Sequence, residues 1–92
     1  MRKLKISREK HYSGSAGKAD PHVDNQFIGK LKSGEVVVVE VDEGEHWVTF
    51  PSSSLRLKPV LVPAGAGDVH VRIRMGFMGF SFYGELAPVN EI

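Results

Sequence analysis

Glycine and proline interrupt this chain so often that it cannot form a long helix. The 92 residues include ten glycines and five prolines, and these two residue types end or weaken regular elements. No window of eleven or more residues free of both carries the i, i+3, i+4, i+7 apolar spacing of an amphipathic helix. Short alternating or β-branched apolar segments lie between the interruptions instead. The sequence therefore predicts an all-β fold.

Turn residues divide these apolar segments into seven or eight short strands. Residues 4–6 and 69–73 alternate between apolar and polar side chains, which is the pattern of a half-buried strand. Residues 35–41 are apolar on both faces, which predicts a central strand covered on both sides. Asp24-Asn25-Gln26 is a candidate hairpin turn. This spacing predicts a small antiparallel β-sandwich, with residues 1–92 forming a single domain.

Apolar residues at the inward positions of these strands are expected to form the core. A chain of this length buries roughly 60–65% of its unfolded surface, so we expect modest stability that a pairing partner would increase. The expected core consists of Leu4, Ile6, Val23, Ile28, Val37, Val39, Leu57, Val71, Ile73, Phe80, Phe82 and either Trp47 or Val48.

Composition indicates an ordinary globular protein without thiol chemistry. The net charge is +1 and 41% of the residues are hydrophobic, which argues against disorder. The absence of cysteine excludes disulfides, thiolate metal sites and thiol nucleophiles. The basic N-terminus is not followed by the run of about 7–15 apolar residues of a signal peptide. No stretch approaches the ~20 apolar residues that span a bilayer. We therefore expect a cytoplasmic location.

The centre of the chain carries a series of turns that resembles a known domain type. Residues 23–35 read VDNQFIGKLKSGE, and residues 39–48 read VEVDEGEHWV. Over roughly residues 20–50, this succession of short strands, glycine turns and a G-x-H sequence resembles PEGA-type domains and related small bacterial proteins. Asn25 stands where glycine is commonest in that pattern. The resemblance implies a β-sandwich without catalytic residues that serves as a surface or interaction module.

The residues that could support catalysis or metal binding each lack the motif that this chemistry requires. His22 and His46 lie near carboxylates in the sequence, but no ligand spacing for zinc accompanies them. Residues 13–18, SGSAGK, lack both the glycine spacing and the following helix of a phosphate loop. The serines at 52–54 have no supporting nucleophile motif. We therefore expect no enzymatic activity, no metal and no cofactor.

Basic residues two positions apart form the clearest charge pattern. Such pairs point to one face of a strand, so a shared sheet would gather them on one surface. That surface would bind RNA, an acidic glycan or an anionic lipid surface. The alternative is a solvated face or pairing with acidic strands. The six residues are Lys3, Lys5, Arg56, Lys58, Arg72 and Arg74.

Residues 75–84, MGFMGFSFYG, combine glycines with adaptable apolar side chains. If exposed, this segment would contact another subunit, and the alternative is a bulged strand that completes the core. The candidate contact residues are Met75, Phe77, Met78 and Phe80. The preferred interpretation is a non-enzymatic interaction module that binds a protein partner or a second copy through strand edges and this segment. Electrostatic binding of anionic polymers is the alternative function.

Overall fold

The fold consists of short strands joined by turns. The computed structural model describes residues 1–9, 19–32, 34–51, 57–75 and 82–87. The strands are β1 (Arg2–Arg8), β2 (His22–Val23), β3 (Gln26–Phe27), β4 (Val36–Val41), β5 (His46–Thr49), β6 (Val60–Val62), β7 (Val69–Met75) and β8 (Phe82–Ala87). These ranges contain no helix, and hence none that is long and apolar enough to cross a membrane. The prediction of an all-β fold is confirmed.

The eight strands form two sheets of four. The first sheet has the order β4-β1-β7-β8, and the second has the order β3-β2-β5-β6. Adjacent strands are antiparallel except for β1 and β7, which pair in parallel. This parallel pair departs from the purely antiparallel sandwich that the sequence predicts. It is possible because the chain passes through five other strands between β1 and β7, which provides the long connection that parallel strands require.

Strand β4 lies at the edge of the first sheet, so the prediction of a covered central strand is wrong. Val36 and Val38 are 43% and 52% exposed, whereas Val37 and Val39 are half-buried against the core. Strand β1 takes the central place instead and pairs with β4 on one side and β7 on the other. A β-branched run favours a strand at either position. The apolar pattern alone therefore could not distinguish a central strand from an edge strand with an exposed apolar face.

The core contains most of the residues that the sequence predicts. The predicted residues found buried are Leu4, Ile6, Val48, Leu57, Val71 and Ile73. Four more are partly buried and packed against them: Val23, Ile28, Val37 and Val39. Trp47 faces outward and Val48 faces inward, which decides between the two alternatives on β5. Phe80 lies outside the described residues. The core also includes residues that the sequence analysis did not select, namely Ala19, Leu31, Val41, Phe50 and Val62.

Candidate functional site

The free side of β4 is the first candidate surface. Strand β4 pairs antiparallel with β1, and at the start of this ladder the Arg8 N–H donates to the Glu35 carbonyl at 2.9 Å. Hydrogen-bonding residues alternate along an antiparallel ladder. The backbone groups of Val36, Val38 and Glu40 therefore point away from β1. No described strand pairs with them, and we call these three residues the β4 edge.

The β4 edge lacks most of the devices that protect exposed strands from pairing. Proteins commonly place lysine or proline in such strands, but β4 reads VVVVEV. Glu40 is its one charged residue, and Val36 and Val38 are exposed on the outer face of the sheet. Backbone groups left without a partner among the described strands and exposed β-branched side chains together form a surface suited to strand addition.

The register brings four of the six predicted basic residues to one face of the first sheet. Lys3 and Lys5 alternate with buried residues on β1, and Arg72 and Arg74 do so on β7. Ser7 lies two residues after Lys5 and therefore projects to the same face as Lys3 and Lys5. Ser7 pairs with Arg72 of β7, and paired residues share a face. All four basic side chains therefore belong to the outer face of the sheet. The other two are separate from this group. Lys58 is exposed in the segment before β6 of the second sheet, and Arg56 lies outside the described residues.

Carboxylates on neighbouring segments pair with both arginines. Arg72 contacts Glu85 of β8 at 3.1 Å, and Arg74 contacts Glu9 at 3.2 Å and Glu85 at 3.3 Å. These ion pairs are partly buried, and they lower the net positive charge of the face. The convergence of the basic residues is therefore accompanied by the acidic pairing that the sequence analysis gave as the alternative.

His46 is held between two carboxylates at the end of the molecule where two turns meet. Its Nδ1 lies 2.5 Å from Asp24 Oδ2, and its Nε2 lies 2.8 Å from Asp42 Oδ1. Asp24 Oδ1 also accepts the Trp47 N–H at 3.0 Å, and Asp42 Oδ1 accepts the Gly44 N–H at 2.8 Å. The three side chains, which we call the His46 clamp, join the β2–β3 turn to the β4–β5 turn.

The contacts of the His46 clamp favour a charged imidazolium between two ionised carboxylates. The hydrogen bond to Asp24 raises the pKa of His46 above its ordinary value, although burial opposes this shift. The same bond lowers the pKa of Asp24. The Gly44 N–H, and then His46, lower the pKa of Asp42. Both ring nitrogens face carboxylates, and the described part of the chain contains no group of His, Asp and Glu that could hold a metal ion.

The His46 clamp is expected to make stability greatest between about pH 4 and 6.5, the ordinary pKa values of aspartate and histidine. The raised pKa of His46 stabilises the fold fully below about 6.5, and this contribution disappears as pH rises through the folded-state pKa. The lowered pKa values of Asp24 and Asp42 stabilise it fully above about 3.9, and this contribution disappears as pH falls through their folded-state pKa values.

Urea midpoints from pH 2 to 9 for the wild type and His46→Gln would measure this effect. The difference between the two proteins should be largest near pH 5 and should shrink toward both ends of the range. A difference that stays constant from pH 5 to pH 9 would contradict the assignment.

The sequence alone does not predict the His46 clamp. Asp24 lies 22 residues before His46 in the chain, and no local motif connects the two. The available signal was the four-residue separation of Asp42 and His46 across a short turn. His22, the other histidine considered for zinc, donates from Nδ1 to the Asp20 carbonyl at 2.8 Å. Its ring also lies against that of Phe27 at 5.3 Å.

Several predicted positions fall outside the described residues. They are the loop at 13–18, the serines at 52–54, and the contact residues Phe77, Met78 and Phe80. Met75, the first residue of the proposed contact segment, ends β7, where it pairs with Phe82 of β8.

The turns behind the resemblance to PEGA-type domains are present, and the resemblance itself stays a prediction. Asp24 and Asn25 both have positive φ, at 49° and 69°, which is the backbone of a two-residue hairpin turn. Asn adopts this conformation more readily than most residues. No protein-family model, curated protein or solved structure matches this chain.

Proposed function

We propose that this chain is a non-enzymatic interaction module that binds an extended strand of a protein partner, or of a second copy, along the β4 edge. The observation that carries the proposal is that exposed valines coincide with backbone groups that no described strand pairs. Val36 and Val38 offer apolar contact at positions whose backbone groups point away from β1 and meet no other strand of the described part of the chain. Strand addition uses both features, since main-chain hydrogen bonds give affinity and alternate side chains give specificity.

The length of β4 is sufficient for such pairing. Its six residues extend about 20 Å at the usual rise of a strand. In a two-fold antiparallel arrangement centred on Val38, each Val38 faces its symmetry copy and Val36 faces Glu40 of the second copy. This pairing would join the first sheet of one copy to the first sheet of the other, giving one continuous sheet across the dimer. The Met75–Phe80 segment is the second contact element of the proposal.

Val38→Pro is expected to reduce association through the β4 edge by at least tenfold while the fold is retained. The Val38 N–H points away from β1, so proline removes a donor that the β1–β4 ladder does not use, and its ring obstructs an added strand. Val38→Thr is the matched control because it keeps the N–H and the β-branched shape. Sedimentation equilibrium of the wild type and both variants measures self-association. Circular dichroism checks that each variant is folded.

Two results would contradict strand addition at β4. One is association of folded Val38→Pro at the wild-type constant. The other is a wild type that is monomeric at millimolar concentration and gives no β4 amide shifts with any extended partner peptide.

Binding of an anionic polymer is the second candidate, favoured by the shared face of Lys3, Lys5, Arg72 and Arg74. Its affinity would fall steeply with salt because binding releases counterions, whereas strand pairing would change little. Amide shifts with a short RNA or a sulfated glycan at low and moderate salt distinguish the two functions. Salt-sensitive shifts on β1 and β7 would favour this candidate, whereas the absence of shifts at low salt would rule it out and leave strand addition.

A further inference from the structure

A groove opens on the outer face of the second sheet, on the opposite side of the molecule from the first sheet. Its volume is about 460 Å³, and it is lined by Asp24, Asn25, Trp47, Thr49 and Pro59. It is an open surface groove rather than an enclosed cavity. Trp47 is 50% exposed, which is unusual for the largest apolar side chain of a small domain. We call this feature the Trp47 groove.

The groove is lined by outward-facing side chains of β5 and by the neighbouring β2–β3 turn. His46 and Val48 face inward, so Trp47 and Thr49 project together to the outer face. Leu61 of β6 lies opposite Trp47 and is also exposed. The β2–β3 hairpin turn then places Asp24 and Asn25 at the rim.

The rim is held rigidly to the tryptophan. The Asp24 carboxylate accepts the backbone N–H of Trp47 at 3.0 Å, and its other oxygen contacts His46. The positive φ angles of Asp24 and Asn25 fix the direction of the turn. Asn25 is therefore presented beside Trp47 before any ligand arrives, which lowers the entropic cost of binding.

The chemistry of the lining matches a sugar ring. An indole offers a broad apolar face with negative electrostatic character, against which the C–H groups of a pyranose can pack. Around it stand a carboxamide, a hydroxyl and a carboxylate, from Asn25, Thr49 and Asp24. Together these groups donate and accept hydrogen bonds, as the hydroxyls at the edge of a sugar require. A few polar groups around an apolar floor are also the general composition of a specific small-molecule site.

The negative charge in the groove disfavours acidic sugars. Asp24 is the one charged residue in the described lining, and its carboxylate would repel phosphate, sulfate or uronate groups. A proline-rich peptide could also lie on an indole, but proline has no N–H to offer the acceptors of the rim. The lining therefore favours a neutral ligand rich in hydroxyls.

We propose that the Trp47 groove binds a neutral saccharide, with one pyranose ring packed on the Trp47 indole and its hydroxyls bonded to Asn25 and Thr49. The groove and the β4 edge belong to different sheets. The saccharide proposal therefore stands or fails independently of strand addition.

The experiment uses Trp47 itself as the reporter, because it is the one tryptophan of the sequence. The folded protein is titrated with cellohexaose, maltohexaose and chitohexaose, and with oligogalacturonate as the acidic comparison. We expect saturable fluorescence changes with at least one neutral oligosaccharide, and binding to oligogalacturonate at least tenfold weaker. Calorimetry repeats the measurement for variants that lack the reporter.

Two substitutions test the site within the groove, and a third outside it is the control. Trp47→Ala should weaken binding at least tenfold, and Asn25→Gly should weaken it about three- to tenfold, the loss expected for one hydrogen bond. Glycine suits the positive φ of residue 25, so the turn is preserved while the carboxamide is removed. Tyr83→Ala, at an exposed aromatic residue on the first sheet, is the control and should bind as the wild type does.

Three results would overturn the proposal. The first is the absence of a saturable response to every neutral oligosaccharide at 10 mM, on the order of the weak end of specific binding. The second is equal binding of oligogalacturonate and the neutral sugars. The third is unchanged affinity in a folded Trp47→Ala variant.

Discussion

Arg2→Met is expected to lower the free energy of unfolding by about 3 kcal/mol, because hydrogen bonds from a buried charged donor are worth about 1.5–3 kcal/mol each and part of this is recovered through hydration. Arg2 is 3% exposed. Its guanidinium donates to the carbonyls of Asp42 at 3.1 Å, Gly44 at 2.9 Å and Pro63 at 2.8 Å, with Gly67 at 3.5 Å. A single side chain at the start of β1 thus joins the β4–β5 turn to the β6–β7 connection.

The stabilisation by Arg2 should depend on the several N–H donors of its guanidinium group, and not on its charge alone. Without this group, these two connections keep one backbone bond of their own, from the Gly65 N–H to the Glu43 carbonyl at 2.9 Å. Arg2→Lys keeps the charge but has a single nitrogen, so it should fall between the wild type and Arg2→Met. Lys3→Met is the matched control, since the Lys3 side chain is exposed. Urea denaturation measures all four proteins, and an Arg2→Met midpoint equal to that of Lys3→Met would refute the role.

Gly84→Ala is expected to destabilise the protein by about 1–3 kcal/mol, the usual cost of overpacking. Replacing glycine by alanine within a strand ordinarily stabilises it by about 0.5–1 kcal/mol, so the expected sign is reversed. The reason is the close approach of β8 to β6. A Cβ at Gly84 would lie 2.9 Å from Val60 Cγ2 and 3.9 Å from Phe50 Cε2. The short, branched Val60 side chain cannot turn away freely.

A double-mutant cycle isolates this contact. Gly84→Ala should lose much less stability in a Val60→Ala background than in the wild type, which would appear as a favourable coupling energy in thermal or urea unfolding. Gly67→Ala is the control, because a Cβ there meets no atom within 4 Å. A Gly84→Ala protein at least as stable as the wild type would show that β8 does not pack closely on β6.

The candidate surfaces differ in how far the sequence revealed them. Spacing of two within strands correctly placed Lys3 with Lys5, and Arg72 with Arg74, because side chains alternate in any strand. Convergence of the two pairs depended on β1 lying beside β7, a partnership between segments more than sixty residues apart. The acidic partner Glu85 of both arginines likewise became apparent from the β7–β8 register.

The burial of individual residues was also predictable where it follows from local alternation and not where it depends on strand order. Alternation identified Leu4, Ile6, Val71 and Ile73 as inward-facing, because strands with one buried face leave that pattern in the sequence. The valine run of β4 left no such pattern. The exposure of Val36 and Val38 follows from the strand order, in which β1 lies inside the sheet and β4 lies at its edge. The same strand order creates the β4 edge.

The sequence by itself determined that this protein is built of short strands, because glycine, proline and turn residues limit segment length and alternation sets the side-chain direction. It also specified the Asp24–Asn25 turn, because few residue types accept positive φ. The tertiary structure alone decided the edge position of β4, the His46 clamp, the carbonyl contacts of Arg2 and the groove beside Trp47. Each of these depends on which strands become neighbours, and strand pairing is a property of the whole chain rather than of any local segment.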